Sequence, residues 1–502
     1  MRQLSTHDAS FLYADTIHAN SNVTFVQIYD QSTVPGGTLR FKAILAHIES
    51  RLHRSPIFRS KLLRVPLELD DPYWVEDEYF DLEYHVRHIA LPKPGDWRQF
   101  CIQASRIHAR ALDLHRPLWE IYVIEGLDSI TDLPAGSFAL LTKIHHAAID
   151  VESRNEFIEV LHDTTRKPPK PEPAEPWFPE RAPGPIELLC RASVNAMFAP
   201  WRLMGPFART APAMMTFARD VLRPEHHRAA TRFNAVVSPH RVFDTRRFRR
   251  DEFERIRGLV AGASVNDAVL AVCSGGLRRY LDAHAELPQA ELAAVVPLGI
   301  GAKHGPGAPS RCIPFGTHVA DPTERLAWIQ RQTSAAQAVA TARGMPLPAC
   351  TITHVPGPPA PVYLYGARMT YFSAILPIAD GMGLVFAVTD YDGRIVVSPT
   401  SCRELMPDPQ AFTQCVRDSF QQYLALARKM RAAKPVPGRP KRAAPPRGAD
   451  AAGVLGAAPP RSARPRASAA DRRSPAARTV RSAAKPLPVA KGGRRRSTAP
   501  RR

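Results

Sequence analysis

Cysteine is scarce in this chain of 502 residues: seven occur, at positions 101, 190, 273, 312, 350, 402 and 415. They form no C-x-x-C pair and show no metal-ligand spacing, and an odd count fits no complete disulfide framework. Reduced, mostly buried thiols are the expectation. Also missing is any run of about 18 apolar residues, which excludes a helix spanning a membrane. The N-terminal "MRQLSTHDAS" leads into no apolar stretch of the secretory kind, so the expected location is cytoplasmic. There is no G-x-S-x-G elbow and no zinc-ligand cluster, so neither that serine nucleophile nor a bound metal is expected.

Acid is short in one place only. Of the net charge of +20, residues 433–502 hold 17 units, from 19 Lys or Arg against Asp450 and Asp471. The remaining 432 residues are nearly balanced, so the basicity describes a tail and not a nucleic-acid-binding body. That tail, "AAKPVPGRPKRAAPPRGAD" through "KGGRRRSTAPRR", has almost no aromatic or large apolar residues. It buries too little apolar surface to offset the entropy of ordering, and disorder is expected.

A single core stops growing at roughly 250–300 residues, so more than one domain is expected. The proline-dense stretch 166–187, "RKPPKPEPAEPWFPERAPGPIE", excludes regular structure and divides the chain. Two bodies follow, 1–165 and 233–432, with a Pro-rich and amphipathic linker at 166–232. Within that linker, residues 186–222 combine Arg191, Arg202, Arg209 and Arg219 with Phe198, Trp201, Met204, Phe207, Met214 and Phe217. Such a stretch suits either a bilayer interface or packing on its own domains.

Each body mixes helix and strand without regular alternation. "SFALLTKI" reads as a buried strand, and "VESRNEFIEVLHD" carries Phe157, Ile158 and Leu161 at helical spacing. "SVNDAVLAVCSGGLRRYLDAH" has helical spacing too, led in by Ser264 as N-cap. "GLVFAVTDYDGRIVVSPT" reads as a hairpin turning at Asp392-Gly393. "HVPGP" at 354–358 reads as a rigid turn.

The chemistry concentrates at "LTKIHHAAIDVES", residues 141–153. A histidine at the end of a buried strand is held by rigid structure, and imidazole near its ordinary pKa of about 6.5 accepts a proton from an alcohol at neutral pH. His145 and His146 are followed by Asp150, a residue able to orient a ring, pair with an arginine or cap a helix. Pairing alone is not the signal, since His226 and His227 are also adjacent but sit in polar linker with no carboxylate following.

The context resembles one family. "LSTHDASFLYAD", "HRPLWEIYVIEGLD" at 115–128, "KIHHAAID" at 143–150, "SVNDAVLAVCSGGLRRYL" at 264–281, "ITHVPGPPAPVYLYGARM" at 352–369 and "ADGMGLVFAVTDYDGRI" at 379–395 are similar to the successive motifs of the bacterial wax ester synthase/diacylglycerol acyltransferases. The resemblance covers most of residues 1–432 and excludes the tail. It implies an α+β fold of two chloramphenicol-acetyltransferase-like domains, mixed sheets flanked by helices, with the HHxxxDG motif in a tunnel at their interface. It implies an O-acyltransferase of neutral-lipid synthesis that takes acyl-CoA as substrate, with no cofactor, and passes the acyl group to a long-chain alcohol or diacylglycerol. Carried onto this chain, His146 is the general base. His145 and Asp150 hold the loop, and Asn266 and Asp267 are substrate-binding or site-organising candidates. Asn266 is an oxyanion candidate because its amide donates without changing charge, although a polar cap on its helix fits as well. Pro117, Leu118 and Trp119 match the family's PLW motif and are expected to pack around the cleft.

One residue departs from the pattern. Val151 stands where the family has glycine and adds two methyls at a turn beside the reacting atoms. An alternative of another class therefore stands beside the enzyme: a catalytically weak relative at a peripheral membrane or lipid-droplet surface, its tail holding DNA or another polyanion.

Overall fold

The computed structural model describes residues 1–149, 156–167, 177–198, 230–297, 310–335 and 348–433. Strands β1 (Arg2–Gln3), β2 (Asn22–Asp30), β3 (Ser60–Leu63), β4 (Tyr73–Glu76), β5 (Val86–Ala90), β6 (Trp119–Glu125) and β7 (Phe138–His145) come from the first half of the chain. The second half adds β8 (Arg241–Phe243), β9 (Arg246–Arg249), β10 (Ala293–Pro297), β11 (Ser310–Pro314), β12 (Pro348–Pro356), β13 (Tyr363–Leu364), β14 (Ala367–Ile375), β15 (Val385–Tyr391) and β16 (Arg394–Cys402). The helices of the first half are α1 (Thr6–Ala14), α2 (Phe41–Glu49), α3 (Leu82–His85), α4 (Trp97–Ala109), α5 (Glu156–Leu161) and α6 (Pro185–Phe198). Those of the second are α7 (Arg250–Arg257), α8 (Val265–Ala283), α9 (Pro322–Ala335) and α10 (Pro409–Ala433).

A six-stranded mixed sheet runs β13-β14-β2-β7-β6-β5, and a seven-stranded one runs β11-β10-β12-β15-β16-β8 with β9 also paired to β16. This is the α+β class that the motif order implied. β7 is a sheet-centre strand, paired to β2 and β6, and all eight of its residues are buried. Its even-numbered side chains, Phe138, Leu140 and Ile144, join the larger core with Trp119 and Phe372. Ala139 and Leu141 face the other way, into a second core under α4 that holds Phe100, Ile107 and Tyr371.

β14 crosses the proline-dense boundary. It pairs with β2, Tyr371 opposite Ile28 and Ile375 opposite Thr24. Residues 363–375, from the second half of the chain, thus complete the sheet built by the first. Position along the chain does not assign a strand to a sheet.

Local expectations meet the structure at several points. The 385–402 hairpin turns at Asp392 (φ 48) and Gly393 (φ 70), the pair of positive angles a two-residue hairpin turn demands. Ser264 caps α8 in a reciprocal box with Asp267. The turn expected at 354–358 starts later, because His354, Val355 and Pro356 extend β12 in parallel pairing with β15. Pro356 has no N–H with which to carry the ladder further, and the chain leaves at Gly357, where a Cβ would lie 2.7 Å from the Asp390 carbonyl oxygen.

In the linker, Leu188 and Ala192 of α6 pack on Val65 and Tyr73, and Asn195 Nδ2 donates to Asp70 Oδ2 at 2.6 Å. This part of the 186–222 stretch lies against the first body. Residues 199–222, Asp150, Val151, the His226-His227 pair and the tail from 434 lie outside the described residues. The cysteines are free; Cys190 is exposed and Cys101, Cys273, Cys350 and Cys402 are buried. No helix among the described residues is long and apolar enough to cross a membrane.

Candidate active site

β7 ends at His145, and the chain passes directly into a 3-10 turn over His146–Ala148. The backbone is fixed on both sides of the histidine pair: His145 N–H donates to Leu118 O at 3.0 Å and His146 N–H to Ser21 O at 2.8 Å. His145 is the last residue of the strand and His146 the first of the turn, and both rings meet the end of α1, at Asp15 and at Phe11.

Both nitrogens of His145 are engaged. Nδ1 accepts the Ala147 N–H at 3.1 Å, so the ring proton sits on Nε2, which faces Asp15 Oδ2 at 3.0 Å. The other carboxylate oxygen of Asp15 accepts the Ser21 N–H at 2.7 Å. His145 is 1 % exposed. It caps the turn and ties it to the end of α1; its nitrogens are not presented to a substrate.

His146 is half-buried. Its ring stacks on Phe11 with centroids 3.9 Å apart and planes 19° apart, and His7 meets the same Phe11 edge-on at 5.3 Å. Next to it, Ala147 and Ala148 line a cavity of about 750 Å³ whose polar lining includes Ser5, Asp8, Ser55 and Ser60. A cavity of that size accommodates a small-molecule chain.

The Pro117-Leu118-Trp119 segment is buried and braces the turn through the Leu118 carbonyl. Trp119 Nε1 donates to Phe58 O at 3.0 Å, and the indole stacks on His85 at 4.5 Å. Asn266 occupies the second position of α8, half-buried. The Asp267 carboxylate closes the capping box with Ser264 and accepts Thr333 Oγ1 at 2.7 Å; its hydrogen bonds go to the helix end and to α9.

Behind the histidines lies a buried charged layer. Lys143, with its side chain fully enclosed, has Nζ 3.4 Å from Glu120 Oε2, which also accepts the Tyr122 hydroxyl at 2.9 Å. Desolvation pushes the Lys143 ammonium down to about 8, with Glu120 opposing. His108 Nδ1 meets Thr24 Oγ1 at 2.9 Å. Burial, with Arg241 and Lys143 adding to it, pushes His108 down to about 3 and keeps it neutral. Asp15, Phe11 and Ser21 carried no assigned role in the sequence reading, although Phe11 and Asp15 stand inside the quoted "LSTHDASFLYAD"; no periodicity reports a contact across 130 residues.

Comparisons with known proteins bear on the family and the fold. The model described as the wax ester synthase/diacylglycerol acyltransferase catalytic domain matches residues 4–269, and the WS/DGAT C-terminal domain matches residues 333–423. A Mycobacterium tuberculosis (strain H37Rv) protein named as a diacylglycerol O-acyltransferase is 31% identical over 455 residues, 81% of this chain and 87% of the relative. The O-acyltransferase WSD of Acinetobacter baylyi is 29% identical over 419 residues, 74% of this chain and 88% of the relative. In three dimensions the fold matches the wax ester synthase/diacylglycerol acyltransferase of Marinobacter aquaeolei VT8 with a TM-score of 0.63 at 23% identity, over 85% of this chain and 99% of that one. With the six motifs, the paired mixed sheets and the histidine turn all present, the chain belongs to the wax ester synthase/diacylglycerol acyltransferase family of O-acyltransferases.

Proposed function

We propose that the protein transfers a fatty acyl group from acyl-CoA to a long-chain alcohol or to diacylglycerol, forming wax ester or triacylglycerol, with His146 as general base. The observation that carries this reading is the division of labour at the end of β7. His145 spends both nitrogens on the Ala147 amide and Asp15, whereas His146 stacks on Phe11 beside a cavity lined by the two residues that follow it.

His146 takes the acceptor hydroxyl proton as the oxygen attacks the thioester carbonyl. The tetrahedral intermediate collapses with cleavage of the C–S bond, and the imidazolium returns the proton to the thiolate, releasing CoA as the thiol. No covalent enzyme intermediate is needed. Asp15, through His145, holds the turn so that His146 approaches in one orientation, the contribution that positioning makes to rate. Asn266 is assigned to the oxyanion or to organising the site.

The test is thin-layer analysis of products from purified protein supplied with palmitoyl-CoA and either hexadecanol or diacylglycerol. Wax ester or triacylglycerol is expected, with loss of about 10²–10⁴ in turnover in His146→Ala. Full turnover in a well-folded His146→Ala variant removes His146 as the base, and no ester from either acceptor removes the substrate assignment.

A further inference from the structure

A second cavity, of about 660 Å³, lies away from the histidines, between the first turn of α4, the β6–β7 loop, strand β9 and helix α10. Its place follows from the register. Tyr371 in its wall pairs with Ile28, which pairs with Ala139, six residues before His145 on β7. At 3.3–3.4 Å per residue that is roughly 20 Å along the strand, and Tyr371 and Ala139 belong to the core under α4, on the opposite sheet face from Trp119.

Five arginines line it: Arg246, Arg247, Arg249, Arg394 and Arg417. Two are committed, Arg246 to Asp244 at 3.1 Å and Arg249 to Asp251 at 2.8 Å. Even so, Arg246 Nε is buried without a hydrogen-bond partner. Arg247, Arg394 and Arg417 make no ion pair among the described residues, although Asp96, Asp132 and Glu252 also reach the wall. Asp96 is already spent capping α4 through the Gln99 N–H at 2.7 Å.

The register sharpens the point. Arg394 stands directly opposite Arg249 across the β9–β16 pair, and Arg247 shares their face two residues along. Arg249 is neutralised by Asp251 at 2.8 Å, so Arg247 and Arg394 are the guanidinium groups that this face presents without an ion pair among the described residues. The remaining wall is aromatic: Trp97 and Tyr371 meet edge-on at 5.6 Å, the Arg247 guanidinium lies 5.9 Å from the Tyr371 ring centroid, and Phe248 packs on Phe420 at 4.3 Å. Guanidinium forks match phosphate oxygens, and Trp97, half-buried in that wall beside the buried Tyr371, offers a ring to a flat heterocycle.

We infer that this cavity binds a nucleoside polyphosphate, the arginines of β9, β16 and α10 taking the phosphates and the Trp97–Tyr371 wall taking the ring. The same chemistry comes from two sources, a free nucleotide or the phosphorylated adenosine end of a CoA molecule. Calorimetric titration of the full chain with ADP, and separately with CoA, tests the site without any turnover, so its failure is distinct from a failure of acyl transfer. Saturable binding is expected, weakened about tenfold or more by Arg247→Ala and by Arg417→Ala, as loss of a charge-assisted hydrogen bond implies. Arg255→Ala, outside the cavity, leaves it unchanged. With palmitoyl-CoA as varied substrate, a rise in KM alone on adding ADP identifies the CoA end as occupant, and a change in kcat at saturation identifies a free nucleotide. Absence of saturable binding by both probes overturns the proposal. So does binding that survives both substitutions in folded protein, which places the anion on the basic tail instead.

Discussion

At the residue scale, two neighbouring imidazoles are given different parts by what surrounds them. The His145 tautomer is set by the Ala147 amide, which takes Nδ1, and by Asp15, which takes the proton on Nε2. Removing Asp15 leaves a buried N–H and the Ser21 amide without their acceptor, a loss of about 1–3 kcal/mol. It also frees the turn that carries His146. Asp15→Ala is therefore expected to lower kcat by about 10–100-fold with little change in KM for acyl-CoA, since a misplacement near 1 Å carries penalties of that order. Asp15→Asn keeps the shape but only one acceptor oxygen for two donors, His145 Nε2–H and Ser21 N–H, and is expected to recover only part of it. Steady-state kinetics with thermal melts check this: equal turnover in wild type and Asp15→Ala makes the contact a fold anchor only. The histidine pair was legible in the sequence because an apolar strand leads into it. Asp15 was not, because nothing local pairs residue 15 with residue 145.

At the element scale, α8 shows how a legible helix makes an illegible contact. Its cap, spacing and length follow from "SVNDAVLAVCSGGLRRYLDAH". What the periodicity hides is why two glycines sit in its middle. A Cβ on Gly276 would lie 2.7 Å from Val416 Cγ2 and 2.9 Å from Val416 Cα, so α10 crosses α8 at backbone distance. Alanine gains about 1 kcal/mol of helix propensity but forces the helices apart, an overpacking penalty of about 1–3 kcal/mol. Gly276→Ala is expected to lower stability in urea unfolding, and adding Val416→Ala is expected to restore part of it through their coupling. A Gly276→Ala variant more stable than wild type refutes the close crossing.

At the scale of the whole molecule, buried neutral histidines tie stability to pH. Burial pushes His47 and His162 down to about 4 and His108 down to about 3, with cationic neighbours helping in each case. Unfolded, these rings bind protons near pH 6.5; folded, they stay neutral until pH 3–4. Stability is then full above about pH 6.5 and falls as pH drops toward 4, by up to about 1.4 kcal/mol per pH unit for each ring. Urea midpoints at pH 7.5, 6 and 5 measure the slope, which His162→Gln is expected to reduce by roughly a third; a midpoint independent of pH excludes the linkage. The tail acts separately. With 17 of the 20 net charges in residues 433–502, its deletion is expected to leave acyl transfer unchanged and to remove salt-sensitive binding to DNA, since clustered Lys and Arg bind polyanions by releasing counterions. Equal DNA binding, with equal salt slopes, by full-length and truncated protein refutes that role.

The sequence by itself determined what depends on near neighbours. The all-buried β7, the turn at Asp392-Gly393 and the Ser264 cap rest on periodicity, turn angles and side chains a few residues apart; the family was indicated separately, by the resemblance of six motifs in order. The tertiary structure decided what depends on distant ones. It placed β14 in the sheet of the first half, put Asp15 against His145, committed Asp267 to its helix end, continued β12 through "HVP" and gathered arginines from two strands and a helix around one cavity. Short-range propensity leaves such partners open, because burial of a strand or a charge is satisfied by any complementary surface, and only the packed chain selects which one.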